Sequence, residues 1–193
     1  MYAGTATHTT LLARLGDNAD PGAWSEFVAR YGDLIQGFCL KRGLQAADID
    51  DVRQDVLLSL TKAMPGFTYD PAKGLFRSYL KTVVMNAITR RMCQNSGAAA
   101  LSQVSEPGVP GDATDEQWED EWRRYHLRLA MKQIETEFGA GDRTAFTMYA
   151  LEGRDAKETA AALGMSVDAV YQAKSRIVRR LGEVIERQVA EEG

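Results

Sequence analysis

In the stretch MSVDAVYQAKSRIVRRL, Met165 to Leu181, Gln172 and Arg176 stand four residues apart. On a helix that spacing puts both side chains on one face. An amide and a guanidinium so placed can each pair with a base edge in the major groove, Gln with adenine and Arg with guanine. Each such pair is worth ~1–3 kcal/mol of discrimination. Asp168, Ser175 and Arg179 fall on the same outward side, opposite Val167, Val170, Ile177 and Leu181. With Ser166 and Tyr171 they make up the candidate DNA-reading set of this stretch. Arg179 and Arg180 lie further along and suit phosphates. Lys174 sits at the margin of the apolar side, where its stem can pack while its ammonium reaches water. A second set mixes cations with aromatics: Tyr69, Lys73, Arg77, Tyr79, Lys81, Asn86, Thr89 and Arg90. Aromatic rings stack on unpaired bases at ~1–3 kcal/mol each while cations hold the backbone. The competing reading is that such rings fill a core, which suits Phe76 better than Tyr69. A third set, Asp51, Gln54, Asp55 and Leu58, places one apolar residue among polar ones. It is either a small protein-docking patch or an ordinary exposed Leu, and that helix alone favours the second.

Helices must carry all three sets, since no stretch alternates polar and apolar residues for long. In PGAWSEFVARYGDLIQGFCLKRG, the residues Trp24, Phe27, Val28, Tyr31, Leu34, Ile35 and Phe38 recur at three- and four-residue steps, one apolar face of a long helix. ADIDDVRQDVLLSLTKAM follows, with Asp48 as its expected cap and a stripe of Ile49, Val52, Val56, Leu60 and Ala63. Pro65–Gly74 reads as a loop. LFRSYLKTVVMNAITRRMCQN then offers Phe76, Leu80, Val83, Val84, Ala87, Ile88 and Met92 to a core. Asn95–Gln117 is rich in Gly, Ala, Ser, Pro and acid, the composition of a linker. Beyond it, a helix ending at Gly139–Gly141, a second capped by Asp142, and a third capped by Asp155 lead to the opening stretch, capped by Ser166. Ala160 is small where a second helix must cross closely. Gly164, four residues on, tolerates the positive φ of a tight turn, and Val170, Ala173 and Ile177 can lock the next helix down. That combination predicts a helix-turn-helix, although a plain helical hairpin can imitate it. The expected fold is all-α: two small helical domains, 1–95 and 122–193, joined by a flexible acidic linker, 96–121, with the helix-turn-helix in the second.

The net charge of −4 conceals a segmental pattern. Residues 1–95 carry 11 Lys/Arg against 9 Asp/Glu, 96–121 carry none against 7, and 122–193 carry 12 against 11. Two locally basic regions thus flank one acidic segment, as a segmental nucleic-acid binder can show. No apolar run approaches the ~18 residues of a membrane span, and the first residues lack the basic start and apolar core of a signal peptide. Cys39 and Cys93, with His8 and His126, match no metal-site or disulfide spacing, so neither metal nor cofactor is expected and a reducing cytoplasm fits. No phosphate loop, catalytic carboxylate pair or nucleophile–base set is present, which argues against an enzyme.

Taken together, these stretches resemble the extracytoplasmic-function (ECF) type of bacterial RNA polymerase sigma factor. DIDDVRQDVLLSLTKAMPGF is similar to region 2.2 of that family, GLFRSYLKTVVMNAITRR to regions 2.3–2.4, and DAKETAAALGMSVDAVYQAKSRIVRRL to region 4.2. The resemblance spans residues 10–95 and 122–188 in family order. It implies that Asp51, Gln54, Asp55 and Leu58 dock on the polymerase β′ coiled coil. It further implies that Thr68–Gly74 pockets a flipped base of the −10 element and that Asn86 belongs to the −10 reading helix. The second domain would bind the polymerase β flap and put its last helix in the −35 major groove, and the linker would pass near the RNA exit path. The resemblance admits an anti-sigma factor as a further partner and no membrane role. Tyr79 stands where the family usually has Trp, Met85 where Arg is common, and Ala173–Lys174 where an Arg-Leu pair is frequent. A free-standing helix-turn-helix regulator is the alternative, and it leaves the first domain unexplained. A DNA recombinase would need a nucleophile that the sequence lacks.

Overall fold

A computed structural model describes residues 8–16, 20–65, 75–96 and 112–192. Among them every regular element is helical, and none is long and apolar enough to cross a membrane. The chain divides into two compact units, Met1–Tyr125 with Glu191–Gly193, and His126–Ala190.

The first unit begins with α1 (His8–Leu15) and α2 (Pro21–Lys41). Asp20 caps α2 by accepting the Ala23 N–H at 3.0 Å, and Pro21 supplies the preset φ of a first helical residue. Arg14 of α1 reaches both Asp20 and Glu26 at 2.7 Å, clamping the two helices together. Those carboxylates raise the Arg14 pKa, and the guanidinium holds Asp20 below its ordinary value. Next come α3 (Ala46–Ala63) and α4 (Phe76–Ser96). Leu11, Leu12, Leu15, Phe27, Tyr31, Leu34, Phe38, Val52, Val56, Leu60, Phe76, Leu80 and Val84 are all buried here. Cys39 lies in this core as expected, and burial pushes its thiol up to about 12.

Two details depart from the sequence reading. Helix α3 starts at Ala46 behind Gln45, so Asp48 is a first-turn residue rather than the cap, and it pairs with Arg91 at 2.8 Å. Ala63 and Met92 lie outside the core, Met92 being 44% exposed, each at the end of its stripe. The loop Pro65–Gly74 lies almost wholly outside the described residues.

The largest departure concerns the segment 96–121. Residues 97–111 lie outside the description, but Asp112–Glu137 form one helix, α5. Its first half belongs to the first unit. Trp118, Trp122 and Tyr125 are each under 5% exposed. Trp118 meets Phe38 edge-to-face at 5.0 Å, and Trp122 and Tyr125 stack on Tyr31 at 6.5 and 5.5 Å. The boundary therefore falls at Tyr125/His126, not at 121/122. The physical reason is the i, i+4, i+7 spacing of three aromatics, which gives an otherwise polar segment one apolar edge. Glu121 packs on the bare backbone of Gly37, where a Cβ would overlap its carboxylate, and it pairs with Lys41 at 3.2 Å.

The second unit contains the rest of α5, then α6 (Ala140–Phe146) running into a π-helical turn at Thr147–Leu151, then α7 (Ala156–Leu163) and α8 (Val167–Glu192). Ala130, Ile134, Phe146, Ile177, Leu181 and Val184 form its core. Helix α6 starts behind Gly139 without a side-chain cap, so Asp142 is again a first-turn residue and not the cap.

Candidate nucleic-acid interface

The turn between α7 and α8 has the geometry that its residues predict. Asp155 caps α7, accepting the Lys157 N–H at 2.7 Å. Gly164 ends α7 at φ 63°, ψ 32°, and Met165 N–H donates to the Ala160 carbonyl at 3.0 Å. A left-handed residue closing a helix in this way is the commonest use of glycine at a C-terminus. No atom lies within 4 Å of where a Gly164 Cβ would stand, so the dihedral alone demands glycine. Ser166 Oγ then accepts the Ala169 N–H at 3.1 Å and starts α8. Val170, Ala173 and Ile177 are fully buried beneath the turn, and Ala160 is 4% exposed.

Ser166, Asp168, Tyr171, Gln172, Ser175, Arg176 and Arg179 are all exposed, so the structure brings the whole predicted reading set to the surface of the second unit. Their charges are already engaged in part. Arg176 Nη2 lies 2.9 Å from Asp142 Oδ2, and Arg179 is 3.8 Å from Glu183. Tyr171 meets Tyr149 edge-to-face at 5.5 Å, and Lys174 Nζ stands 5.3 Å over the Tyr149 ring. Arg180, placed with phosphates by its position along the helix, has another task. It grips Glu137 of α5 through two nitrogens at 2.6 and 2.8 Å and reaches Glu183 at 3.1 Å. This fork-to-fork pair joins α8 to α5, raises the Arg180 pKa and brings Glu137 down to about 2.

In the first unit, α4 separates the predicted strand-binding residues into two groups. The buried stripe is Phe76, Leu80, Val84, Ala87 and Ile88. At 3.6 residues per turn, Arg77 and Lys81 share one flank of it, while Tyr79, Asn86 and Arg90 share the far side. Helix α5 covers the first flank. Arg77 bonds Glu119 at 2.7 Å and lies 5.8 Å over the Trp122 ring, and Lys81 pairs with Asp115. Burial lowers the Lys81 pKa. On the far side Asn86 and Arg90 are exposed and Tyr79 and Thr89 half-buried, and burial raises the Tyr79 phenol pKa. Tyr69 and Lys73 lie outside the described residues.

The docking set shares one face of α3. Asp51 and Gln54 are exposed, Leu58 is 57% exposed, and Asp55 is half-buried. Arg91 of α4 holds Asp51 at 2.6 Å, and Arg90 stands 3.5 Å from Asp55. The residues that sequence reasoning missed are those that engage these sets: Asp142 against Arg176, Glu119 and Asp115 against the α4 cations, and Arg91 against the α3 acids. Only the acid-and-aromatic periodicity of 115–125 carried a readable signal. Among the described residues no group of His, Cys, Asp and Glu could hold a metal ion.

Comparison with known proteins agrees with this layout. The family model for sigma-70 region 2 matches residues 27–97, and that for sigma-70 region 4 matches 140–181. The RNA polymerase sigma factor CnrH of Cupriavidus metallidurans is 28% identical over 185 residues, covering 91% of this chain and 93% of CnrH. A solved structure of CnrH in complex with the cytosolic domain of CnrY aligns over 92% of this chain and 96% of that one, with 24% identity and a TM-score of 0.36. The two matched regions follow one another in the family's order and take in more than half of the chain, and they coincide with the helices that carry the three candidate sets. The chain belongs to the sigma-70 family of RNA polymerase sigma factors and is of the ECF type.

Proposed function

We propose that this sigma factor divides its work among three surfaces. Helix α8 reads the −35 element, with Gln172 and Arg176 on base edges and Ser166, Asp168, Tyr171, Ser175 and Arg179 around them. Tyr79, Asn86, Thr89 and Arg90 of α4, with Tyr69 and Lys73 of the preceding segment, hold the unpaired −10 strand. Asp51, Gln54, Asp55 and Leu58 dock on the β′ coiled coil of core polymerase, and the second unit binds the β flap. Opening DNA costs ~1.4 kcal/mol of stacking per base-pair step, and capture of unpaired bases with cationic backbone contacts offsets it. The chain acts in the cytoplasm, by binding and without making or breaking a bond. An anti-sigma factor, which the family resemblance admits, completes the partners, and co-purification tests for it.

The observation that carries this reading is the left-handed Gly164 turn, after which α8 presents a solvent-exposed polar face. Arg77 and Lys81 belonged to the same expected set, but α5 covers both, at 31% and 15% side-chain exposure, so we assign them to the fold rather than to the strand. Run-off transcription with core polymerase on a promoter library tests the proposal. Specific transcripts that require both the chain and core polymerase support it. Tight operator binding by the chain alone, indifferent to core polymerase, overturns it.

A further inference from the structure

Helix α6 begins without a side-chain cap although an aspartate stands in its first turn. An Asx at the Ncap position itself bonds the orphan N–H groups, but Asp142 stands three residues past the cap Gly139. Here the carboxylate of Asp142 turns away to Arg176, with Oδ2 at 2.9 Å from Nη2. The Asp142 side chain is 27% exposed and that of Arg176 51%, so the acid is the sheltered member and the guanidinium the one presented outward. The placing of its partner sets Arg176 apart from the cations that follow it. Arg179 has Glu183 on its own helix, and Arg180 is half covered by Glu137 and Glu183. Arg176 is thus the reading-face cation held by a different helix through one nitrogen only.

We propose that Asp142 is a positioning residue for base recognition: it holds Arg176 so that the remaining N–H donors address a guanine edge rather than a phosphate. This rests on the proposed −35 role of α8. The argument is geometric and entropic. A guanidinium has five donors in a rigid fork, and guanine needs only two of them, at O6 and N7. Nη2 carries two N–H groups, and spending one on Asp142 leaves the other, with the nitrogen beside it, as a two-donor edge for the base. It also restrains a long side chain before binding, so less rotamer freedom is lost on contact. A free arginine on the same helix has neighbouring phosphates within its sweep, and phosphate contacts carry no sequence information.

The test uses the holoenzyme, assembled with core polymerase, on a library randomised at the −35 element. Asp142→Ala is expected to lower the preference for the favoured base at one position about tenfold, equivalent to about 1.4 kcal/mol. Affinity for unselected DNA should rise modestly, and the salt slope should steepen by about one, as Arg176 gains a phosphate. Asp142→Glu should restore part of the preference, and circular dichroism should show α-helical content unchanged. Uniform weakening on every sequence would assign Asp142 a merely structural role. Tighter binding to the favoured sequence would make it a competitor of the base. Either result overturns the proposal. Arg176→Ala in parallel separates the two levels: if it leaves base preference intact, the reading of α8 itself fails. If it abolishes the preference while Asp142→Ala does not touch it, only the positioning role fails.

Discussion

Replacing Trp118 by Ala distinguishes an integral helix from a spacer in the segment between the matched regions. Trp118 is 1% exposed, with its ring 5.0 Å from Phe38 and 6.3 Å from Trp122. Truncating a buried tryptophan removes its transfer free energy and leaves a cavity, together about 3–5 kcal/mol. Domains of this size have roughly 5–15 kcal/mol in total, so a large share of the first unit's stability is at stake. With a urea dependence of ~2 kcal/mol per molar, the unfolding midpoint of that unit should fall by about 2 M. Because the chain has two units, hydrogen exchange at the amides of α2 and α4 should accompany far-UV circular dichroism, so that the loss is located in the first unit. Glu116→Ala, exposed on the same helix, is the control and should stay within about 0.5 kcal/mol of wild type. If Trp118→Ala changed stability no more than this control, the packing of α5 on Phe38 and Tyr31 would be refuted.

Arg77→Ala should destabilise the first unit, by removing its contacts with Glu119 and Trp122, while leaving −10 preference in transcription assays unchanged; Asn86→Ala should do the reverse. Gly164→Ala should cost about 1–2 kcal/mol by thermal melting, since only the left-handed backbone and no steric contact opposes the methyl group. Glu137 titrates at about 2 against an ordinary 4.5, chiefly through its hydrogen bonds with Arg180 and then Gln133. Its contribution to stability is therefore complete above about pH 4.5 and is lost as pH falls toward 2. Urea midpoints measured across that window should drop more steeply for wild type than for Glu137→Gln.

The second unit was legible because its signals are local. Asp155, Ala160, Gly164 and Ser166 act within a turn or two of their own positions, and each has the contact or dihedral that its residue type suggests. Long-range partners were not legible. Asp48 and Asp142 carry the composition of caps, yet each is drawn to an arginine more than 30 residues away, Arg91 and Arg176, and the helix begins earlier without it. Arg180 looked exposed by periodicity alone, because nothing in α8 announces Glu137. In 112–125 the acids, with no cation before Arg123, outweighed three aromatics at helical spacing. Those acids suit a helix face against Lys41, Arg77 and Lys81, a pairing visible only once α2 and α4 are in place. The same covering explains why the cation-and-aromatic set on α4 divides in two.

Promoter reading by two separate helices is tested most directly by sequencing the transcripts that the holoenzyme initiates from a library randomised at both elements. Wild type should select sequences at −10 and at −35. Arg176→Ala should lose selection at −35 alone and Asn86→Ala at −10 alone. Unchanged selection at both elements in both variants would contradict the assignment of α8 and α4 as the reading helices.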